Sequence, residues 1–316
     1  MTLSITAVGW VAPGWDRWEC FTDPLTQANS SAGGEWFDAN HHLGKRGHKY
    51  FSNASRYLLA AACRAVGIND TRSEDLKERT GVIIGTNQAD YWVRRDVDAI
   101  VLRHGANALN AIEAPNTAVN LPASQVAMRF GYTGPNLTLT NPHLAGLEAI
   151  YVADRLLRRH RLSAVMSGAV EDSFESGYST GGAGVLLLEK SSEVSRPALA
   201  RIEEIDLDFH AYSDHALSER IVAKLRQKCK GGYPVWLISH CPELAQRTQS
   251  ELQSRLHVPV NDLSKTNESF PAKHTMLPLM QLLWLLANRH EGVVLAQSNL
   301  GNIIMFTLTP AKEEKP

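Results

Sequence analysis

The stretch Gly134-Pro-Asn-Leu-Thr-Leu-Thr-Asn-Pro-His-Leu-Ala-Gly-Leu-Glu-Ala149 decides how this chain is read. Residues 137–140 read as a strand. Asn141 and Pro142 make a sharp turn, and residues 144–159 carry apolar side chains at helical spacing. His143 therefore stands where a strand passes into the start of a helix. The first backbone N–H groups of a helix have no intrahelical partner; they lower the pKa of a thiol placed there and suit an oxyanion. Such an elbow fits a nucleophilic cysteine. An imidazole at that position cannot form a thioester as a thiol does.

Composition narrows the classes. The chain has 316 residues, enough for two moderate domains or one large two-part fold. It is 44% hydrophobic and 21% charged, as ordinary soluble proteins are. Its 32 Lys and Arg against 33 Asp and Glu give a net charge of -1, which argues against a general nucleic-acid binder and gives no membrane-surface signal. The first residues lack a basic region followed by a long apolar one, so we expect no secretory leader. The longest apolar run, residues 277–287, is broken by Gln281 and is too short to cross a bilayer. Cys20, Cys63, Cys229 and Cys241 have neither metal nor disulfide spacing. A reduced, cytoplasmic setting fits this usage, and no cofactor is expected.

Strand and helix signals alternate along the chain. Strands are read at residues 5–11, 81–86, 137–140, 164–170 and 184–189, and helices at 52–66, 123–130 and 144–159. A second set follows, with helices at 216–227, 242–255 and 274–289 and strands at 234–239, 292–297 and 302–308. Repeated βαβ runs predict an α/β protein with buried sheets. The polar, proline-containing stretch 191–197 divides it into a half at 1–190 that carries the elbow and a half at 191–316.

Several motifs in this order resemble the β-ketoacyl synthase family. The elbow resembles that family's nucleophile elbow, with His143 where the cysteine stands. Gly81-Val-Ile-Ile-Gly-Thr86 resembles its early Gly-Thr strand, and Pro115 to Gly131 the segment leading into its dimer-forming strand. Ser179-Thr-Gly-Gly-Ala-Gly-Val-Leu-Leu-Leu-Glu189 is similar to its Gly-Glu-Gly-Ala-Gly strand. Two family histidines match His240, whose following Gly-Thr is here Cys241-Pro242, and His274, whose preceding glycine is here Lys273. The family's lysine falls at Ser269, and Lys265 replaces it only with a shifted register. Only residues 170–179 stand where a full ketosynthase has a long gating and dimer segment. The resemblance is to a chain-length factor, the subunit that pairs with a catalytic ketosynthase in type II polyketide or aryl polyene systems. It implies a thiolase-like five-layer fold of two similar halves. It also implies a ketosynthase partner that pairs through Asn136, Leu137, Thr138, Leu139 and Thr140, and an acyl carrier protein.

Other residues carry competing readings. His143 either fills a disused site or contacts an acyl-carrier thioester. His240 and His274 either polarise a thioester carbonyl, as acyl transfer or malonyl-thioester decarboxylation would need, or are structural. A homodimeric acyl-binding scaffold without turnover is a further alternative. Cys241 beside His240 reads as a structural thiol. Arg155, Arg158, Arg159 and Arg161 close a helix, where the helix dipole favours cations; they are also the candidate docking patch for an acidic carrier protein. His41, His42 and His48 lie among Lys45, Arg46 and Lys49 and read as a solvated basic loop, with no metal expected. Gly181-Gly-Ala-Gly184 lacks the lysine of a phosphate loop and the full dinucleotide spacing.

Overall fold

The computed structural model of the chain describes residues 2–15, 17–21, 36–159, 162–172, 181–211, 217–271 and 274–311. These contain β1 (Leu3–Val11), α1 (Ala39–Leu43), α2 (Asn53–Val66), α3 (Glu74–Glu78), β2 (Thr80–Thr86) and α4 (Tyr91–His104). Next come α5 (Leu121–Phe130), β3 (Asn136–Thr140), α6 (Ala145–Arg159), β4 (Ala164–Glu171), β5 (Gly182–Lys190) and β6 (Ala200–Phe209). The order closes with α7 (Glu219–Lys228), β7 (Val235–Ser239), α8 (Pro242–Leu256), β8 (Val260–Asp262), α9 (Met276–Ala287), β9 (Gly292–Gln297) and β10 (Asn302–Pro310). Local signals set the helix ends. Ser52 caps α2 by accepting from the Ser55 N–H, and Gly67 closes it at a φ of 85° that favours glycine.

The strands form one run in the order β3-β2-β4-β5-β1-β6-β10-β9-β7-β8. Counted outward from the β1–β6 junction, both sides repeat the same order of first, fifth, fourth, second and third strand. The directions repeat as well. β2 is parallel to β3 and β4, as β7 is to β8 and β9, while β5 and β10 are antiparallel to both their neighbours. The two sides meet through only three residue pairs, Leu3–Ile202, Ser4–Arg201 and Ile5–Ala200.

Period-two alternation distributes each strand between two layers. Ile83, Leu186, Val294 and Phe306 face a central core shared with α6 and α9. Val82, Ile84, Val185 and Leu187 face an outer core under α2 and α5. Val293, Leu295, Ile303 and Met305 face a second outer core under α7 and α8. Helix, sheet, helix, sheet and helix are therefore stacked in five layers, the thiolase-like architecture the sequence implied. α9 is apolar nearly all round because both its sides are covered, and Met276 to Leu283 are all buried.

α6 lies unusually close to β2. A Cβ on Gly85 would stand 2.1 Å from the Ala145 carbonyl carbon and 2.4 Å from the Gly146 nitrogen. Those atoms belong to backbone, so no rotamer change relieves the clash. We expect Gly85→Ala to destabilise the protein by about 3 kcal/mol or more, at the upper end of overpacking costs. A denaturant midpoint within error of wild type would refute this contact.

Candidate functional site

The elbow forms as the sequence indicates, at the C-terminal end of β3. Asn141 shapes it. Its N–H donates to the Thr86 carbonyl oxygen (3.2 Å), while its side-chain Oδ1 accepts from the N–H groups of His143 (3.0 Å) and Leu144 (3.1 Å). Gly146 N–H donates to Thr275 Oγ1 at 2.8 Å. Three N–H groups at the start of α6 are thus held by the chain's own side chains. The open donors expected of an oxyanion site are taken at these positions.

His143 from the first half and His240, just past β7 of the second, lie face to face. Their ring centroids are 3.4 Å apart and their planes 7° from parallel. Each ring leaves its Nδ1 buried without a hydrogen-bond partner. Burial, with the neighbouring His240 and His274, pushes His143 down to about 4. Burial also lowers His240, against a side-chain interaction with Asn299 that favours its charged form. Two positive charges about 4 Å apart would repel by roughly 4 kcal/mol at an effective dielectric of about 20, so the stack is a pair of neutral rings at neutral pH. His274 joins them through its electrostatic effect on His143. It sits in a left-handed turn at a φ of 54°, which delivers the next residue, Thr275, onto α6.

Sequence reasoning missed four supports of this site. Glu148, on the first turn of α6, accepts from both Asn141 Nδ2 (3.0 Å) and Asn302 Nδ2 (2.9 Å). Asn299 lies beside His240 and favours its charged form. Thr275 bonds the elbow. Glu171, buried at the end of β4, accepts from the Thr86 hydroxyl (3.3 Å) and the Gln88 N–H (3.1 Å), and burial pushes its carboxyl up to about 7. None of these four carries a readable local signal, whereas Asn141, two residues before His143, does, since asparagine favours helix starts.

The other candidates fall elsewhere. Cys241 caps the start of α8 with its thiol 3.3 Å from a Glu243 carboxylate oxygen. Arg158 pairs with Asp154 at 2.7 Å, Arg155 lies over the Tyr151 ring and Arg159 is exposed. Arg161 and the motif residues 173–180 lie outside the described residues. Arg155 and Arg158 line a cleft of about 600 Å³ together with Glu203, Glu204 and Asp206, so this surface is of mixed charge. His48 bonds the Gly44 carbonyl and His42 stacks on Phe37; among the described residues no cluster could hold a metal ion. Nor, among those residues, is any helix long and apolar enough to cross a membrane.

Residues 13–196, more than half of the chain, match the family described as β-ketoacyl synthase, N-terminal domain, and the chain belongs to that family. A 3-oxoacyl-[acyl-carrier-protein] synthase 2 from Synechocystis sp. is 26% identical over 160 residues, covering 47% of this chain and only 38% of that relative's length. In fold, the chain resembles the ishigamide ketosynthase/chain length factor, with a TM-score of 0.79, 18% identity and coverage of 99% of this chain and 100% of the other. It also resembles AntDE:AntF, a type II polyketide synthase acyl-carrier protein in complex with its ketosynthase, with a TM-score of 0.77, 14% identity and coverage of 98% and 99%.

The neutral stack has a pH signature. Between pH 6.5 and about 4 the unfolded chain takes up a proton at position 143 that the folded chain refuses, so stability falls as pH falls through that window. Glu171 acts oppositely between about 7 and 4.5, because its folded carboxyl binds the proton first. The measurement is therefore a difference. His143→Phe keeps a flat ring without the titration, and its stability should decline less steeply than that of wild type. Denaturant midpoints taken across this range would test it, and parallel curves would count against a neutral His143.

Proposed function

We propose that this chain is a non-condensing, chain-length-factor-like subunit. In this reading it pairs with a cysteine-bearing ketosynthase, shapes that enzyme's acyl or polyketide pocket and works with an acyl carrier protein in the cytoplasm. The observation that carries the reading is the elbow itself: an imidazole replaces the thiol, stacks on His240 and sits over N–H groups already bonded to Asn141. No thioester can form at that position. The complexes formed by AntDE:AntF and the ishigamide protein supply the analogy for the partners. The division into halves at 190/191 belongs to the same reading and draws support from the repeated strand order.

The pairing surface is assigned to β3, which ends the strand run. Val82 N–H donates to the Pro135 carbonyl, and Asn141 N–H donates to that of Thr86. Odd-numbered positions of β3 therefore face β2, and the backbone groups of Asn136, Thr138 and Thr140 face outward. Leu137 is 43% exposed and Met128 64% exposed, which adds apolar surface to this side of the fold. A stable pairing here would bury about 2,000 Å² or more.

The unpartnered Nδ1 atoms favour a second reading, in which His143, His240 and His274 bind a thioester carbonyl for acyl transfer or malonyl decarboxylation. One experiment separates the readings. The chain is co-expressed with a cysteine-bearing ketosynthase, and intact complexes are weighed after exposure to acyl- and malonyl-carrier thioesters. We expect a one-to-one complex and no acyl adduct on this chain. Thr138→Pro removes an outward N–H and should cut recovered partner at least tenfold while the circular dichroism is unchanged. Release of carbon dioxide by the chain alone would favour the enzyme reading. A homodimer that ignores the ketosynthase would favour the scaffold.

A further inference from the structure

Glu148 is a half-buried carboxylate whose single oxygen Oε1 takes two side-chain amides, one from each half of the protein. The first belongs to Asn141. With its Nδ2 committed to Glu148, the amide must present Oδ1 to the elbow, where it accepts from His143 and Leu144. The flipped amide would set oxygen against the carboxylate and NH2 against two N–H groups, losing all three bonds. The second amide belongs to Asn302, the first residue of β10. Asn302 closes a tight turn with β9, in which Ser298 N–H donates to the Asn302 carbonyl (3.0 Å) and Gly301 N–H to that of Ser298 (3.1 Å). Asn299 lies in that turn, close enough to His240 to favour its charged form. One arm of the network thus ends on His143 and the other beside His240, the two rings that stack.

We propose that Glu148 is the positioning residue of the site: it locks the elbow to the β9–β10 turn, keeps the N–H groups of His143 and Leu144 occupied, and holds the two rings in register. The inference concerns the chain by itself and stands under either functional reading, because none of its measurements involves a partner or turnover.

Three variants of the full chain test it. Glu148→Ala removes the shared acceptor, Glu148→Gln keeps an accepting oxygen, and Leu225→Ala empties part of the core under α7 as a control of comparable instability. Backbone amide exchange is followed by mass spectrometry in peptides covering 141–147 and 298–302, and the imidazoles are titrated by NMR. In Glu148→Ala both peptides should exchange about tenfold faster, the effect of losing one hydrogen bond. The His143 midpoint should climb from about 4 toward the ordinary histidine value. Glu148→Gln and Leu225→Ala should leave both readouts near wild type. A folded Glu148→Ala with unchanged exchange and titration overturns the proposal, and so does a Glu148→Gln that loosens as much as the alanine variant. Should Glu148→Ala fail to fold, Asn302→Ala cuts the network from the other end. The His240 resonance should then shift, and an unmoved resonance refutes the coupling.

Discussion

The contact on which the rest of the site depends is backbone against backbone. The start of α6 rests on β2 where residue 85 has no side chain, close enough that even a methyl group would meet a main-chain carbonyl. Burial on both flanks holds the helix there, since Leu147, Ile150, Ala153 and Leu157 are packed in the central core. Because the helix cannot move away from the sheet, its first residues take a fixed place at the strand ends. Asn141 can then reach Thr86, and Thr275 from the second half can reach Gly146. Glu171 braces the same strand end from below by tying down residues 86–88. The site is built before any ligand arrives, by polar groups that each satisfy a neighbour.

The same construction fixes the electrostatics around residue 143. The N-terminal end of a helix carries partial positive charge and disfavours a cation beside it. Burial and two further imidazoles push the same way, so His143 is held neutral by three effects of one sign. A thiolate at this position would have gained from the same field. The scaffold retains the electrostatics that suit an anion while the residue it holds cannot become one.

Much of the fold was legible because it is written in apolar periodicity. The strands at 81–86, 164–170 and 292–297 are buried on both faces and read as continuous apolar runs. α4 and β6 were not legible, for physical reasons. α4 buries none of its residues, so no core face marks it. In β6 the alternation breaks step: Glu204 takes a φ of 51°, the pairing with β10 slips between Met305 and Thr307, and buried Ile202 is followed by Ile205 three residues later. Within the site, His143, His240 and His274 could be singled out because their residue types stand in recognisable surroundings. Glu148, Asn299 and Asn302 could not. Their roles depend on neighbours far along the chain, such as the 154 positions between Glu148 and Asn302, and no local spacing encodes that.

The repeated strand order leaves the two ends of the sheet unequal. The third strand of the first half, β3, has five residues, whereas its counterpart β8 has three. A short edge strand offers too few backbone groups to recruit another chain. Growth of the sheet by edge pairing can therefore begin at one end only, and two chains that join there consume the long edge of both. Geometry of this kind closes on a pair and gives no route to a fibre. The repeated strand order is thus broken at the one place where full symmetry would leave two long edges open.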